Sequence, residues 1–193
     1  MPLIVLDRDG VINEESDAYI RSLAQWQPIP GSIEAIAALS KAGYTVAVAT
    51  NQSGLGRGFF GLDELEAIHA ALCRRVEELG GTIAGIFYCP HLPDEGCRCR
   101  KPATGLLDAM AAELGLSPRG SFFIGDSLKD LQAARAYGCR PILVKTGKGA
   151  ATLGALLSGE APLIDAASIP VYDDLAAAAR EILRPQPVPK GDT

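Results

Sequence analysis

LIVLDRDG, residues 3–10, is a short apolar run that ends directly in two acidic residues and a glycine. The run does not alternate polar with apolar side chains, which is typical of a strand covered on both faces of a parallel sheet. Asp7 and Asp9 would then follow the carboxyl end of the strand, where ligands bind in open α/β sheets. A plain polar turn is the alternative, with Asp9 and Gly10 serving only the turn geometry.

Similar apolar runs recur along the chain, separated by segments with a helical spacing of apolar residues. Further strands are predicted at residues 44–50, 85–89, 121–125, 141–145 and 169–172. Helices are predicted up to Gly43, along the apolar face from Leu65 to Leu79, and at residues 105–115 and 127–137. Asp63 and Glu66 have the offset of a capping box for the second helix. This alternation predicts an α/β fold, a three-layer Rossmann-like sandwich with a mainly parallel sheet.

The length and composition fit one soluble globular domain. At 193 residues the chain can bury roughly 70% of the surface that its unfolded form exposes. We assign residues 1–184 to a single domain and expect the polar, proline-rich segment 185–193 to be frayed. No apolar run reaches the roughly 18 residues that a membrane-spanning helix requires.

Charge and the first residues of the chain exclude several kinds of partner. A net charge of −5 argues against sequence-independent nucleic-acid binding, which draws on clustered lysines and arginines. No basic segment followed by an apolar stretch marks the chain for secretion, so we expect a cytoplasmic protein without disulfides. We also expect a monomer that binds a small molecule and neither nucleic acid nor membrane.

Polar residues follow the second predicted strand. Thr50, Asn51, Gln52 and Ser53 offer hydroxyl, amide and backbone N–H groups to an anion. An ordinary helix cap or turn is the alternative for this segment.

Two further charged positions belong to the same edge of the predicted sheet. Asp126 ends the fourth strand, and Lys101 lies in the loop that leaves the third. Ser127 and Asp130 have the spacing of a simple capping pair, but Asp126 has no such structural explanation. The strand ends together therefore predict a site for an anionic substrate.

One segment, CPHLPDEGCRCRKP at residues 89–102, holds three of the five cysteines and one of the two histidines. Cys89, His91, Cys97 and Cys99 form two pairs with one residue between the members of each pair. Four nitrogen and sulfur ligands suit tetrahedral zinc with no open position, which predicts a structural zinc site. Buried thiols or a disulfide are the alternatives, and the polar composition of the segment disfavours buried thiols.

The remaining histidine and cysteines carry a weaker signal. His69 and Cys73 stand four residues apart on the second predicted helix, a spacing that two metal ligands can use. No second pair completes a site, so we interpret both as packing or surface residues. Cys139, at the start of a strand, is expected to be buried.

In chain order, DRDG, TN, Lys101 and GDSLKD resemble the four motifs of the haloacid dehalogenase superfamily of phosphohydrolases. The resemblance covers about residues 3–150. It implies that Asp7 attacks phosphorus and forms an aspartyl phosphate, and that Asp9 protonates the leaving alkoxide and then deprotonates water. It also implies Mg²⁺ held by Asp7, the Asp9 backbone carbonyl and Asp126.

The same resemblance implies the phosphate-binding residues. Thr50, Asn51 and Lys101 would hold the transferring phosphoryl oxygens, and Asp130 would orient Lys101. The substrate-binding residues that it implies are Asn51, Gln52, Ser53 and Arg100.

The spacing of the motifs leaves no room for a large cap domain. The interval from Asp9 to Thr50 holds only a helix and most of a strand. The loop at residues 14–19 and the zinc segment would then roof a fairly open site. A solvated connector is the alternative for that loop.

The zinc segment indicates which group of the superfamily the sequence resembles most. CPH followed by CRCRKP, together with DRDG and TNQSG, resembles the heptose bisphosphate phosphatase and histidinol phosphatase group of the superfamily. This resemblance implies removal of the 7-phosphate of D-glycero-D-manno-heptose 1,7-bisphosphate to give heptose 1-phosphate, on the heptose route that feeds lipopolysaccharide. The alternatives are a histidinol phosphatase and, in another class, a catalytically inactive zinc-stabilised binding module.

Residues near the zinc ligands would contact the rest of the substrate. Arg100 would recognise the far phosphate, since arginine makes planar, bidentate phosphate contacts, and an exposed neighbour of the zinc site is the alternative. Ser127 stands where some relatives carry a lysine, and Lys129 could replace that lysine or be a solvated helix residue. Zinc would fix the loop so that Arg100 and Lys101 face the phosphates.

Overall fold

The predicted first strand lies at the centre of a six-stranded, wholly parallel sheet in the computed structural model, which describes residues 2–160 and 166–185. The strands of these residues are β1 (Leu3–Leu6), β2 (Thr45–Asn51), β3 (Gly85–Cys89), β4 (Phe122–Gly125), β5 (Arg140–Val144) and β6 (Val171–Tyr172). Their order across the sheet is β3-β2-β1-β4-β5-β6. The prediction of an α/β fold with a parallel sheet is confirmed.

Each predicted strand is present, and its bounds agree with the prediction within two residues. The largest difference is at the edge of the sheet, where the strand predicted at residues 169–172 is reduced to Val171–Tyr172. Pro170 has no N–H to donate, so it cannot form a full rung of the ladder. Its carbonyl still accepts the N–H of Leu143 at 3.0 Å, which holds the end of the segment against β5.

The helices of the described residues cover the two faces of the sheet. They are α1 (Ser32–Lys41), α2 (Ser53–Gly56), α3 (Leu62–Glu78), α4 (Gly105–Leu114), α5 (Leu128–Tyr137), α6 (Gly149–Leu157) and α7 (Leu175–Ile182). The four predicted helices correspond to α1, α3, α4 and α5. The sequence prediction omitted α2, a single turn at a polar loop, and also the short, alanine-rich helices α6 and α7.

One detail of the second predicted helix is wrong. Asp63 and Glu66 do not form its capping box, because α3 begins at Leu62 after Gly61. Glu64 instead accepts the N–H of Gly61 at 2.9 Å. The helix therefore has a capping interaction with the predicted three-residue spacing, but it joins Gly61 and Glu64, two residues earlier than predicted.

Alternate residues of the central strands point to opposite faces, and both faces are buried. Ile4 and Leu6 pack in a cluster that includes apolar side chains of α1, α3 and α7. Leu3 and Val5 pack on the other face against residues of α4 and α5. This arrangement gives the three layers of the predicted sandwich. Truncation of a fully buried side chain such as Leu6 to alanine would cost about 2–5 kcal/mol of stability.

The connections between strands are short where a cap domain could be inserted. Between β1 and β2 the chain forms only a 3₁₀ turn (Leu23–Gln25) and α1, and between β2 and β3 only α2 and α3. The prediction of no large cap domain is confirmed for these segments. No helix among residues 2–160 and 166–185 is long and apolar enough to cross a bilayer. The predicted frayed tail lies outside the described residues from position 186 onward.

Candidate active site

The carboxyl ends of β1, β2 and β4 meet at one edge of the sheet and open into a cavity of about 650 Å³. The strand order reverses at β1, and such a switch point is where open α/β sheets bind ligands. The acidic residues that line this active-site cavity are Asp7, Asp9, Glu15, Asp17, Asp126 and Asp130. The basic residues that line it are Arg100, Lys101, Lys129 and Lys148. The sequence-predicted residues of the three strand ends are thus brought together.

Lys101 lies at the floor of the cavity with its side chain only 3% exposed. Its Nζ is 2.8 Å from Asp7 Oδ1 and 2.6 Å from Asp130 Oδ1, and it donates a hydrogen bond of 2.7 Å to the carbonyl of Ala49. Burial alone would lower the pKa of Lys101, but the two carboxylates outweigh burial and raise that pKa above its ordinary value. Lys101 is therefore a fixed positive charge at neutral pH.

The backbone of Lys101 is held by the end of β2. Asn51 Oδ1 accepts the N–H of Lys101 at 3.0 Å, and Asn51 Nδ2 donates to the Lys101 carbonyl at 3.1 Å. Both polar atoms of the Asn51 side chain are used in this way. Asn51 therefore connects the second strand to the loop that follows the zinc segment.

Three carboxylates crowd the position where a metal was expected. Oxygens of Asp7, Asp126 and Asp130 lie within 4.8 Å of one another. Burial and the charge of Asp130 raise the pKa of Asp7 well above its ordinary value, and the same two causes raise the pKa of Asp126 to about 7. Lys101 alone does not balance this negative charge. An all-oxygen donor set with excess negative charge fits a cation such as Mg²⁺.

The loop after β5 closes the far side of this carboxylate group. The backbone N–H of Lys148 donates to Asp126 Oδ2 at 2.7 Å, and Thr146 Oγ1 donates to the Gly10 carbonyl at 2.6 Å. Gly10 and Gly147 both have positive φ, and a Cβ at either position would collide with the Asp126 carboxylate. No residue of this loop was predicted from the sequence, although the dense glycines of KTGKG at the end of a predicted strand were a usable signal.

Asp9, which follows β1, accepts hydrogen bonds from several side chains. Arg8 Nε and Nη2 donate to its two oxygens at 2.9 and 3.1 Å. Asn13 Nδ2 and Gln52 Nε2 each donate at 2.8 Å. Burial alone would raise the pKa of Asp9, but Arg8, Asn13 and Gln52 outweigh it, so the pKa lies below its ordinary value. Asp9 therefore rests as a carboxylate.

Gln52 connects this group to the phosphate-binding residues that were predicted after β2. Its Nε2 also donates to Thr50 Oγ1 at 2.9 Å, and both Gln52 and Thr50 are buried. Ser53 is buried as well and begins α2. Thr50, Asn51, Gln52 and Ser53 all line the active-site cavity, and their contact with a phosphoryl group stays a prediction.

The four predicted zinc ligands converge on one point beside the cavity. Cys89 Sγ lies 3.5 Å from His91 Nδ1 and 3.1 Å from Cys99 Sγ, and Cys97 Sγ lies 3.6 Å from both other sulfurs. Ligands at about 2.0–2.3 Å from a tetrahedral zinc are themselves separated by about 3.5 Å. All five cysteines are free thiols, so the cluster fits zinc and not the disulfide alternative.

Arg100 and the start of α5 form the wall between the zinc segment and the cavity. Arg100 lines the cavity and donates from Nη1 to the His91 carbonyl at 3.2 Å. The predicted capping pair is present, since Asp130 Oδ2 accepts from Ser127 Oγ at 2.6 Å and from its N–H at 3.0 Å. Asp130 therefore both caps α5 and contacts Lys101.

The loop at residues 14–19 lies over the cavity, as predicted. Glu15, Asp17 and Tyr19 line it, and Glu15 Oε1 lies 3.2 Å from Lys148 Nζ. This ion pair joins the loop to the segment after β5. A contact between Glu15 and the substrate stays a prediction.

Comparison with known proteins agrees with this geometry. Residues 98–178 match a HAD-hydrolase-like family model. The chain is 56% identical over 183 residues to the D-glycero-β-D-manno-heptose-1,7-bisphosphate 7-phosphatase of Pseudomonas putida, a match that covers 95% of this chain and 100% of the relative. The protein of the same name from Bordetella bronchiseptica is 47% identical, with 95% and 99% covered.

Solved structures give the same relationship. A crystal structure of D,D-heptose 1,7-bisphosphate phosphatase from B. bronchiseptica, complexed with magnesium and phosphate, superposes with a TM-score of 0.86 at 47% identity and covers 95% of this chain and 98% of that one. The D,D-heptose 1,7-bisphosphate phosphatase from Burkholderia thailandensis has a TM-score of 0.72 at 40% identity, with 96% and 100% covered. From its motifs, its sheet and these relatives, the chain belongs to the D-glycero-β-D-manno-heptose-1,7-bisphosphate 7-phosphatase family of HAD-like hydrolases and is a phosphatase.

Proposed function

We propose that the chain is a Mg²⁺-dependent phosphatase that removes the 7-phosphate of D-glycero-D-manno-heptose 1,7-bisphosphate and leaves heptose 1-phosphate. The observation that carries this proposal is the buried ammonium of Lys101 between Asp7 and Asp130, in a cavity that Arg100 also lines. Relatives that align over nearly the whole chain are named for the β-bisphosphate, so we take the β anomer as the preferred substrate.

The carboxylate group would hold the metal. Asp7 and Asp126 would supply side-chain oxygens, and Asp9 would supply its backbone carbonyl. Bound Mg²⁺ offsets the negative charge of these carboxylates and polarises a phosphoryl oxygen. The raised pKa values of Asp7 and Asp126 support this assignment, because burial and the charge of Asp130 raise them and a bound cation would offset both effects.

Asp7 acts as the nucleophile in the first step. Its Oδ1 accepts the Arg8 N–H at 2.7 Å and contacts Lys101, so we assign Oδ2 as the attacking atom. A bond forms between Oδ2 and phosphorus while the bond from phosphorus to the C7 oxygen breaks, which gives an aspartyl phosphate and a heptose alkoxide. Lys101 favours the ionised form of Asp7 and balances charge on the phosphoryl oxygens.

Asp9 carries the proton. In the first step its carboxyl group protonates the C7 alkoxide, and in the second its carboxylate takes a proton from water, whose oxygen attacks phosphorus and releases Asp7 and inorganic phosphate. The lowered pKa of Asp9 keeps it ionised, which is the form that can accept a proton in the second step. An entering phosphate adds negative charge beside Asp9, which raises its pKa and allows it to carry the proton for the first step.

The residues after β2 then have different tasks. Thr50 and Ser53 would contact the transferring phosphoryl group directly. Asn51 would act mainly by fixing the Lys101 backbone, and Gln52 by orienting Asp9 and Thr50. These assignments follow from the hydrogen bonds that already occupy the two amide side chains.

A second phosphate suits the cations at the cavity wall. Arg100 and Lys129 line the cavity beside Lys148, whose ammonium pairs with Glu15, and burial together with the charge of Arg100 lowers the pKa of Lys129. Such a cluster attracts an anionic group and repels a cationic one. Histidinol phosphate carries a positive charge at its far end, so this cluster favours the heptose bisphosphate.

Zinc held by Cys89, His91, Cys97 and Cys99 would be structural, because four protein ligands leave no open coordination position. The metal would fix the loop that presents Arg100 and Lys101. Free zinc-ligand thiols suit a reducing compartment, so we infer a cytoplasmic enzyme. We also propose that it acts as a monomer, since Asp7, Asp9 and Lys101 of one chain converge on the cavity without a contribution from a second copy.

Phosphate release with Mg²⁺ tests the proposal, with the product identified by ³¹P NMR. The substrates are the α and β anomers of heptose 1,7-bisphosphate and histidinol phosphate at equal concentrations. We expect the highest kcat/KM for the β-bisphosphate and retention of its 1-phosphate. Preferential turnover of histidinol phosphate, or loss of the 1-phosphate, would contradict the proposed substrate.

A further inference from the structure

Arg8 is a buried cation behind the catalytic carboxylates, and its side chain is fully excluded from solvent. Two of its nitrogens, Nε and Nη2, donate to Asp9. The third, Nη1, lies 3.2 Å from Nε2 of His69. A buried guanidinium is costly unless its N–H groups have acceptors, so each of these partners matters for where Arg8 lies.

His69 reaches Arg8 from α3, on the other side of the guanidinium from Asp9. Its ring also packs against Tyr88, with the ring centroids 5.9 Å apart. To accept from Arg8, Nε2 must be unprotonated. Burial and the positive charge of Arg8 lower the pKa of His69 to about 4, so the imidazole is neutral at physiological pH and can accept this hydrogen bond.

We propose that His69 is a positioning residue for phosphoryl transfer: its Nε2 fixes the Arg8 guanidinium, which in turn holds the Asp9 carboxylate for proton transfer. The inference rests on the proposed role of Asp9 as acid and base. It does not depend on which phosphate ester is the physiological substrate.

The physical reason is the planar shape of the guanidinium. Its donors form a rigid fork, so an acceptor at Nη1 helps to set the plane in which Nε and Nη2 meet Asp9. Without that acceptor, Arg8 gains by turning toward another oxygen and takes Asp9 with it. Asn13 and Gln52 still hold Asp9, so we expect a partial loss of roughly tenfold, less than the roughly hundredfold that a displacement of about 1 Å can cause.

Substrates with two different leaving groups distinguish a positioning role of His69 from a role in packing alone. Release of the heptose alkoxide needs a proton from Asp9, whereas nitrophenolate is a stable anion that leaves without one. With enzyme in excess over substrate, a single turnover of p-nitrophenyl phosphate reports only attack by Asp7. A general disturbance of the fold would slow both substrates, but a displaced Asp9 slows only the alkyl ester.

The variants are His69→Leu, which removes the acceptor, and His69→Gln, which replaces it with an amide oxygen. Cys73→Ala, one helical turn further along α3 and only partly buried, is the matched control. For His69→Leu we expect single-turnover formation of heptose 1-phosphate to fall roughly tenfold while nitrophenolate release changes less than about twofold. His69→Gln should recover most of the lost rate, and Cys73→Ala should match the wild type.

Several results would overturn the proposal. These are equal slowing of both substrates by His69→Leu, no slowing of either, or a His69→Gln variant as slow as His69→Leu at a similar melting temperature. If the wild type does not hydrolyse heptose 1,7-bisphosphate, the proposed substrate fails by itself. Histidinol phosphate also releases an alkoxide, so the same comparison on that ester still decides the role of His69.

Discussion

Lys101 Nζ lies 2.8 Å from Asp7 Oδ1, which joins the last residues of the zinc segment to the carboxylate that ends the central strand. The contact is buried, and Asp130 lies on the other side of the same ammonium. A single cation thus stands between two carboxylates at the point where phosphate charge would accumulate.

Removal of the Lys101 charge should reduce catalysis and also lower stability, because Asp7 and Asp130 lose their buried partner. Lys101→Met leaves the phosphoryl oxygens without their fixed cation, so we expect kcat to fall on the order of 10²- to 10³-fold. The steady-state rate of phosphate release with saturating Mg²⁺ measures this. Lys145→Met removes a lysine that pairs with Asp173 at the surface and should leave kcat unchanged. Wild-type kcat in Lys101→Met would contradict the assigned role.

Asp130 should be needed both for α5 and for the orientation of Lys101. In Asp130→Asn the side chain can still cap the helix, but the charge that holds Lys101 is lost, so we expect kcat to fall roughly 10- to 100-fold. Asp174→Ala serves as a comparison, because it removes a cap from α7, far from the cavity, and should cost about 1 kcal/mol of stability with no change in kcat. Equal effects of the two variants on kcat would show that Asp130 is only a cap.

The zinc segment should act on catalysis through Lys101. Cys97→Ser removes one ligand and should release zinc, lower the melting temperature and reduce kcat roughly tenfold. Metal content, thermal unfolding and phosphate release are measured on the same preparation. Cys73→Ser, at a cysteine outside the cluster, should keep zinc and activity. A Cys97→Ser protein that lacks zinc yet keeps full activity and stability would refute this link.

Arg100 should discriminate between substrates with one and two phosphates. Arg100→Gln removes a cation from the cavity wall, so KM for heptose 1,7-bisphosphate should rise roughly tenfold or more, while KM for p-nitrophenyl phosphate changes little. Arg98→Gln alters a nearby arginine that is not among the lining residues and should behave as wild type. A parallel rise in KM for both substrates would mean that Arg100 does not read the second phosphate.

The positions of the candidate catalytic carboxylates could be predicted from sequence because they follow from strand ends. Parallel strands place their carboxyl ends at one edge, so Asp7 and Asp126 were expected at the same edge, and the pairing of β1 with β4 brings them close together. The zinc ligands could be predicted equally well from the sequence, since their close spacing within one loop brings them near one another. Both inferences needed only local patterns and one rule of topology.

Other features of the candidate site depend on side-chain directions, which a local sequence pattern does not predict. Arg8 stands between two acidic residues, and sequence alone does not show that it turns into the protein toward His69. Asn51 has the hydrogen-bonding groups of a residue that binds phosphate, yet its side-chain amide is hydrogen-bonded to the Lys101 backbone. The loop at Gly147 contributes through its lack of a side chain beside Asp126, which becomes apparent only when β5 is in place.

The central claim is that Asp7 is the nucleophile of a phosphatase, and Asp7→Asn tests it most directly. The change preserves shape and removes the attacking oxygen, so phosphate release from heptose 1,7-bisphosphate with Mg²⁺ should fall on the order of 10⁴-fold or more. Zinc content and circular dichroism should remain those of the wild type. Phosphatase activity retained by a correctly folded Asp7→Asn protein would contradict the account.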